Sequence, residues 1–285
     1  MNIMSLFDGG SCGQVALERA GIIVDNYYAS EIDKHAIQVT QKNYPNTIQL
    51  GDVTKIDFTP FIGKIDLLIG GSPCQDLSTL GNRKGLDGDK SSLFYEYIRA
   101  LKEIKPKYFL LENNANMPKQ AMNTISEMLG VKPIEINSAL VSAQNRKRLY
   151  WFNWEINKLA DKNIKLVDIM QEEREEITLL PFVLKKLDII KNKYGDIPQM
   201  FNPYNATIVK DKSPCLTCSG NRQSVSSTVI IYQNNKFSKL TPLEWERLQT
   251  LPDGYTDCVA NSHRYNICGN GWTVDVIAHI FRGLL

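Results

Sequence analysis

Cys74 stands in the run Gly70-Gly71-Ser72-Pro73-Cys74-Gln75-Asp76, directly after an apolar stretch. Pro73 restricts the backbone in what reads as a loop, where a thiol faces a cleft instead of packing as a small apolar residue. Glu112-Asn113-Asn114 follows a second apolar stretch. Gln144-Asn145-Arg146-Lys147-Arg148 places two guanidinium groups at i and i+2, on one side of an extended segment. A thiol, a carboxylic acid and two arginines on one sheet edge make a set suited to covalent catalysis. A second set suits ligand binding. Phe7-Asp8-Gly9-Gly10-Ser11-Cys12-Gly13 follows the first apolar stretch, and glycines there let backbone approach a ligand. Their offsets do not match G-x-G-x-x-G. Glu31 and Asp52 end two further strand-like runs. Carboxylates at such ends suit ribose hydroxyls, the exocyclic amine of an adenine or a cationic ligand, and suit a polyphosphate poorly.

A parallel sheet is needed to gather these residues at one edge. Short β-rich runs alternate with helical patterns over the first 150 residues, the rhythm of a doubly wound, Rossmann-like α/β fold. Strands are expected over 3–7, 26–30, 47–51, 65–69, 108–112, 135–137 and 148–152, and helices over 14–20, 34–43, 92–104 and 119–129. Composition changes after Trp154. Residues 165–193 are charged and helix-like, with an acidic run over 172–176, and 196–235 are rich in Asn, Ser, Thr and Pro with short β segments. A helix is expected over 241–251, and residues 268–284 end as an apolar helix.

With 285 residues, 43% of them apolar and 22% charged, the chain suffices for one large domain or two unequal ones. A net charge of +2 excludes a uniform basic field. Charge is local: between residues 202 and 240, Lys210, Lys212, Arg222, Lys236 and Lys239 against Asp211 leave +4. Six scattered cysteines are too few for a disulfide scaffold and point to a reducing compartment. Cys215-x-x-Cys218 lacks a second ligand pair at zinc spacing, so no metal is expected. The first 13 residues lack the basic start and apolar core of a secretory leader. No apolar run reaches the roughly 20 residues that span a bilayer, and a soluble, cytoplasmic protein with no membrane partner is expected.

The motifs occur in a telling order: Phe7-x-Gly9, Glu31, Asp52, Gly71-Ser72-Pro73-Cys74-Gln75, Glu112-Asn113, Gln144-x-Arg146-x-Arg148, Leu240-Thr241 through Arg247-Leu248-Gln249, and Gly269-Asn270. In this the chain resembles the DNA (cytosine-5)-methyltransferase family over nearly its whole length. Ala29-Ser30-Glu31, Asp76-Leu77-Ser78 and Arg83-Lys84-Gly85-Leu86 look like the vertebrate de novo branch, whereas the compact size resembles a bacterial or phage enzyme. Three departures stand out: Ser11 replaces the usual third glycine of the loop, Asn114 replaces a valine, and Thr250-Leu251 replaces Gly-Phe.

The resemblance implies S-adenosyl-L-methionine as cofactor, S-adenosyl-L-homocysteine as product and duplex DNA as substrate. Cys74, Glu112, Arg146 and Arg148 would be catalytic. Phe7, Gly9, Gly10, Ser11, Glu31, Ile32, Asp52, Val53, Pro73, Leu93 and Asn270 would bind the cofactor. Gln75, Ser78, Arg83, Lys84, Gln144, Asn221, Arg222 and Gln223 would touch DNA. Residues 1–157 plus 258–285 would form the catalytic domain, and 158–257 a smaller, mainly irregular and β target-recognition domain. A prokaryotic or phage-encoded, nucleoid-associated protein acting as a monomer on DNA is implied, with a cognate restriction endonuclease as an optional partner. Methylation of tRNA and a catalytically silent DNA-binding scaffold stay open as alternatives. The presence of Cys74, Glu112, Arg146 and Arg148 together argues against the scaffold.

Overall fold

The computed structural model describes residues 1–72, 92–220 and 222–285. In chain order the elements are β1 (Asn2–Leu6), α1 (Cys12–Ala20), β2 (Asn26–Ser30), α2 (Lys34–Asn43), β3 (Ile48–Gln49), β4 (Leu67–Gly71), α3 (Ser92–Ile104), β5 (Tyr108–Asn114), α4 (Lys119–Leu129), β6 (Ile134–Asn137) and β7 (Lys147–Phe152). They continue with α5 (Pro181–Tyr194), β8 (Met200–Asn202), β9 (Thr207–Ile208), β10 (Ile230–Gln233), β11 (Lys236–Lys239), α6 (Pro242–Leu248), α7 (Asn261–Asn270) and α8 (Val274–Arg282). None of the helices among the described residues is long and apolar enough to cross a membrane.

The chain divides into two compact units. The first comprises Met1–Asn137, Lys147–Lys158 and Val276–Leu285. Its sheet runs β3-β2-β1-β4-β5-β7-β6. The pairs β1–β2, β2–β3, β1–β4 and β4–β5 are parallel, and β7 runs antiparallel to both β5 and β6. Ile3 and Met4, pointing to opposite faces, are both fully buried, as strands covered by helices on both sides must be. One face packs Met4, Leu6 and Leu68 with Phe94, Tyr97 and Trp151. Winding reverses between β1 and β4, so the strand ends there form the crevice where doubly wound sheets bind ligands. The loop after β1, Glu31 after β2, Asp52 after β3, Ser72 after β4 and Glu112 near the end of β5 all belong to that edge.

The second unit comprises Ser138–Arg146 and Leu159–Asp275. It thus takes in residues 258–275 and a segment ahead of Trp154. Its antiparallel sheet, β11-β10-β8-β9, packs Phe201 and Ile230 against Val183, Leu187 and Ile190 of α5. Helix α6 starts with a capping box in which Thr241 Oγ1 accepts from Glu244 N, and Glu244 Oε2 accepts from Thr241 N.

Several boundaries differ from expectation for physical reasons. Phe7 has left β1 because its φ is +60°. Strand β4 continues through Gly70 and Gly71, which pair with Leu111 and Glu112. In the charged 165–193 stretch the α-helix begins only at Pro181 and runs to Tyr194, after a single 3-10 turn at Leu166–Ile169. Like charges at i,i+3 and i,i+4 disfavour a helix over the acidic run, and Arg174 within it pairs instead with Glu244.

Candidate active site

Three of five successive residues after β1, Phe7, Gly9 and Ser11, have φ of +60°. This left-handed conformation is costly outside glycine, so the surroundings must hold it. Gly9 N donates to Glu31 Oε2 at 2.8 Å, Asp8 N to Ser30 O at 3.1 Å, and Ser11 N to Asp8 O at 3.1 Å. Gln14 Nε2 donates to the hydroxyls of Ser11 and Thr47, both at 2.8 Å. Ser11, in place of a glycine, is buried within this loop. Gly10 is likewise buried.

Glu31 Oε1 accepts from Ile32 N at 2.7 Å and Asp33 N at 2.8 Å, which orients the carboxylate at the end of β2. Ile32 beside it is 77% exposed. Phe7 and Leu93 are half-buried and pack on the sheet's core. Asp52 Oδ1 accepts from the Thr54 amide at 3.0 Å and hydroxyl at 2.8 Å. These bonds hold its carboxyl below the usual carboxylate range, with Lys55 adding to the effect. The next residue, Val53, is buried.

Sequence reasoning gave Asp8 no role, yet it lies under the loop. Tyr27 OH donates to Asp8 Oδ1 at 2.7 Å, while Oδ2 is buried without a hydrogen bond of normal geometry among the described residues. Burial pushes its carboxyl up to about 6; the hydroxyls of Ser5, Tyr27 and Ser11 oppose the rise and the negative charge of Glu31 adds to it. Its place between Phe7 and Gly9 was the available signal.

At the other side of the edge, Arg148 Nε lies 2.9 Å from Glu112 Oε1, with both side chains almost buried. The β5–β7 register sets this up by placing Arg148 opposite Asn114, two positions from Glu112. Asn113 Nδ2 donates to Ser72 Oγ at 3.1 Å and Ser72 O at 3.4 Å. The Glu112–Arg148 pair and the end of β4 thus lie at one sheet edge, Gly71 being paired with Glu112. Pro73, Cys74, Gln75, Ser78, Arg83, Lys84 and Asn221 lie outside the described residues.

Within the second unit, Gln144 and Arg146 are buried. Gln144 Nε2 donates to Leu248 O at 2.6 Å and Gln249 Oε1 at 2.9 Å. Arg146 donates to Leu216 O at 3.2 Å, Gly269 O at 3.3 Å and Gly271 O at 2.9 Å. Gln249 completes the cluster: its Nε2 donates to Cys268 O at 2.6 Å and Gly271 O at 3.1 Å, and its Oε1 also accepts from Thr273 Oγ1 at 2.8 Å. The turn after α7 is thus held on both sides of Asn270, whose Nδ2 donates to Asn266 Oδ1 at 3.1 Å.

Gln223 bridges Thr178 O and Leu180 N at 2.8 and 3.0 Å. Arg222 is exposed. Gly220 beside that segment lies on Trp245, where an added Cβ would come within 1.6 Å of the ring. Among the described residues no group of three His, Cys, Asp or Glu side chains is placed to hold a metal ion.

The model of the family described as C-5 cytosine-specific DNA methylase matches residues 1–285. Type II methyltransferase M1.ScrFI of Lactococcus lactis subsp. cremoris is 31% identical over 287 residues, covering 92% of this chain and 72% of the relative. Orphan methyltransferase M.SPRI of Bacillus phage SPR is 31% identical over 196 residues, covering 63% of this chain and 44% of the relative. The solved structure of Entamoeba histolytica methyltransferase EhMeth superposes with a TM-score of 0.76 at 17% identity, covering 100% of this chain and 97% of that one.

Proposed function

The chain belongs to the C-5 cytosine-specific DNA methylase family and is a DNA (cytosine-5) methyltransferase, and we propose that it methylates C5 of a cytosine flipped out of duplex DNA, using S-adenosylmethionine and a covalent bond from Cys74 to C6. The observation that supports this reading best is the Glu112–Arg148 pair, with Glu112 in register with Gly71, three residues ahead of Cys74 in the sequence.

The strand-end residues fit the proposed cofactor. Glu31 offers an oriented carboxylate to ribose hydroxyls, Asp52 an acceptor to the adenine amine, and Phe7 and exposed Ile32 apolar surface to the ring. Gly9, Gly10 and Ser11 bring backbone close, with Val53, Leu93, Pro73 and Asn270 as further contacts. When bound, S-adenosylmethionine supplies an electrophilic methyl group on a sulfonium.

C5 of cytosine is a poor nucleophile, and a base inside a duplex exposes neither face of C6. Flipping costs a few kcal/mol. The Cys74 thiolate forms a bond to C6, and the displaced ring electrons move toward N3 and O2. Glu112 accepts from the exocyclic amine with one oxygen and donates a proton to N3 from the other, and Arg148 donates to O2, so both offset the negative charge that develops during attack. C5 thereby becomes nucleophilic. After methylation, a solvent base takes the C5 proton, its electron pair re-forms the C5–C6 double bond and expels Cys74 as thiolate, and N3 returns its proton to Glu112. Arg146 acts by holding the second unit's turn at Gly269–Gly271, and Gln144 and Gln223 likewise hold backbone. Arg222, Asn221, Gln75, Ser78, Arg83 and Lys84 are the proposed DNA contacts. The enzyme acts as a monomer in the cytoplasm, and a restriction endonuclease is its proposed cellular counterpart.

Incubation with methyl-tritiated S-adenosylmethionine and either random-sequence duplex DNA or bulk tRNA tests the substrate. Label recovered as 5-methyldeoxycytidine from DNA is expected. Label in tRNA alone, or in neither, would overturn the proposal.

A further inference from the structure

Strands β8 and β10 run antiparallel with Phe201 opposite Ile230, so the β8–β9 turn, residues 203–206, and the segment entering β10, residues 222–229, emerge at the same end of the second unit's sheet. One side chain ties them together. Asn202, 1% exposed, donates from Nδ2 to Ser226 O at 2.7 Å, and its Oδ1 accepts from Tyr204 N at 2.9 Å and Asn205 N at 3.4 Å. A buried amide is costly unless its hydrogen bonds are made, and these bonds fix the turn against the segment. Thr228 Oγ1 closes the segment in turn by donating to Arg222 O at 2.6 Å.

The groups presented at this end differ from those at the other. Tyr204 is 54% exposed, and Asn205 and Arg222 are exposed beside it in sequence and in the shared end. Residues 203–206 and 222–229 hold one charged side chain, Arg222, and no carboxylate. At the opposite end, where β10 turns into β11, Lys236 is paired with Glu176 at 3.8 Å, and exposed Asp196 precedes β8. A polyanion therefore favours the first end. Gln223 is spent on Thr178 O and Leu180 N, so base reading there falls to other side chains.

We propose that Tyr204 and Asn205 are specificity-determining residues that read base edges of the target sequence, with Arg222 beside them on a phosphate. The inference rests on the assignment of duplex DNA as substrate. The major groove admits a two-stranded β-ribbon, and β8 and β9 form one whose tip carries both residues. The Asn205 amide offers a donor and an acceptor to a base edge, and Thr207 Oγ1, donating to its Oδ1 at 2.6 Å, orients it. The Tyr204 phenol offers a hydroxyl and an apolar ring. Its backbone is already held, and a tyrosine has only two side-chain torsions to lose on binding.

The test supplies the full-length protein with S-adenosylmethionine and a library of duplexes randomised around one cytosine, and reads the products by bisulfite sequencing. The unaltered protein should methylate one short sequence. Tyr204→Ala and Asn205→Ala should each lower the preference for the required base at one position by about 10- to 100-fold, with S-adenosylhomocysteine affinity by calorimetry within about twofold of the unaltered protein. Lys236→Ala, at the opposite end, should leave every preference unchanged. An unchanged base preference in either tip variant, whatever its overall rate, overturns the proposal for that residue, and a preference altered equally by Lys236→Ala overturns the choice of end. A library left unmethylated by the unaltered protein overturns the duplex-DNA reading itself, a result distinct from a selective unaltered protein with equally selective variants.

Discussion

Glu112 and Arg148 form a diagonal ion pair, Oε1 to Nε at 2.9 Å, across strands whose register sets Glu112 opposite Tyr150 and Arg148 opposite Asn114. Same-face diagonal neighbours of an antiparallel ladder lie within reach of long side chains, and here the reach is used to join two groups proposed to face one base. With side-chain exposures of 11% and 13%, neither charge is well solvated. Removing one partner leaves the other uncompensated, which costs about 3–5 kcal/mol when burial is complete. Arg148→Met should therefore lower stability in urea by about 2–4 kcal/mol and abolish methyl transfer. Arg148→Lys should recover most of the stability and little of the activity, because an ammonium lacks the planar fork. Full activity in the lysine variant would contradict a directional role.

Asp8 should make the loop after β1 pH-sensitive. Its carboxyl is raised from an ordinary 3.8 to about 6 by burial, so the folded state binds a proton more tightly than the unfolded chain. The linked stability is fully present below about pH 4, declines as pH rises from 4 to 6, and is absent above. Asp8→Asn should therefore stabilise the protein at pH 7.5, by at most about 3 kcal/mol, and change little at pH 4. Denaturant midpoints at the two pH values check the sign.

Glu31 serves the loop and the proposed ribose at once, since its Oε2 holds Gly9 N. Glu31→Gln should weaken S-adenosylhomocysteine binding about 10- to 100-fold, as loss of a charged acceptor from a partly buried hydrogen bond does. Calorimetric affinity equal to that of the unaltered protein would remove Glu31 from the site.

Gln249 makes two donor and two acceptor contacts in a fully buried position. Gln249→Ala and Gln144→Ala should each destabilise the protein by about 2–4 kcal/mol. Arg222→Ala, at an exposed position, should leave stability unchanged and reduce the salt slope of DNA binding by about one. A stable Gln144→Ala protein with a reduced salt slope would move Gln144 to the DNA surface.

Much of the first unit was legible because each strand end bore both an apolar run and a polar residue that apolar packing could not explain: Glu31 and Asp52 follow β2 and β3 as the pattern put them, whereas β5 runs two residues past Glu112 because Asn113 and Asn114 still pair with β7. Arg146 and Arg148 show where pattern stops. Spacing of two suggested a shared task, yet Arg148 pairs with Glu112 and Arg146 with backbone carbonyls of the second unit. Partners distant in sequence decide such roles, and spacing does not encode them. Gln144 and Gln223 read as surface amides for the same reason. Helix α7 was missed because its buried side chains, Tyr265, Ile267 and Cys268, are few among Asn, Ser and His, too sparse for a clear apolar stripe.

The central claim, attack by Cys74 on C6, is tested most directly by trapping. Fluorine at C5 cannot leave as a proton does, so duplex DNA carrying 5-fluorocytosine should hold the protein in a covalent complex when S-adenosylmethionine is supplied. A band stable to denaturant in the unaltered protein, absent in Cys74→Ser, is the expected result. An equal band in Cys74→Ser, or none from an enzyme shown to methylate the same duplex with cytosine, would contradict it.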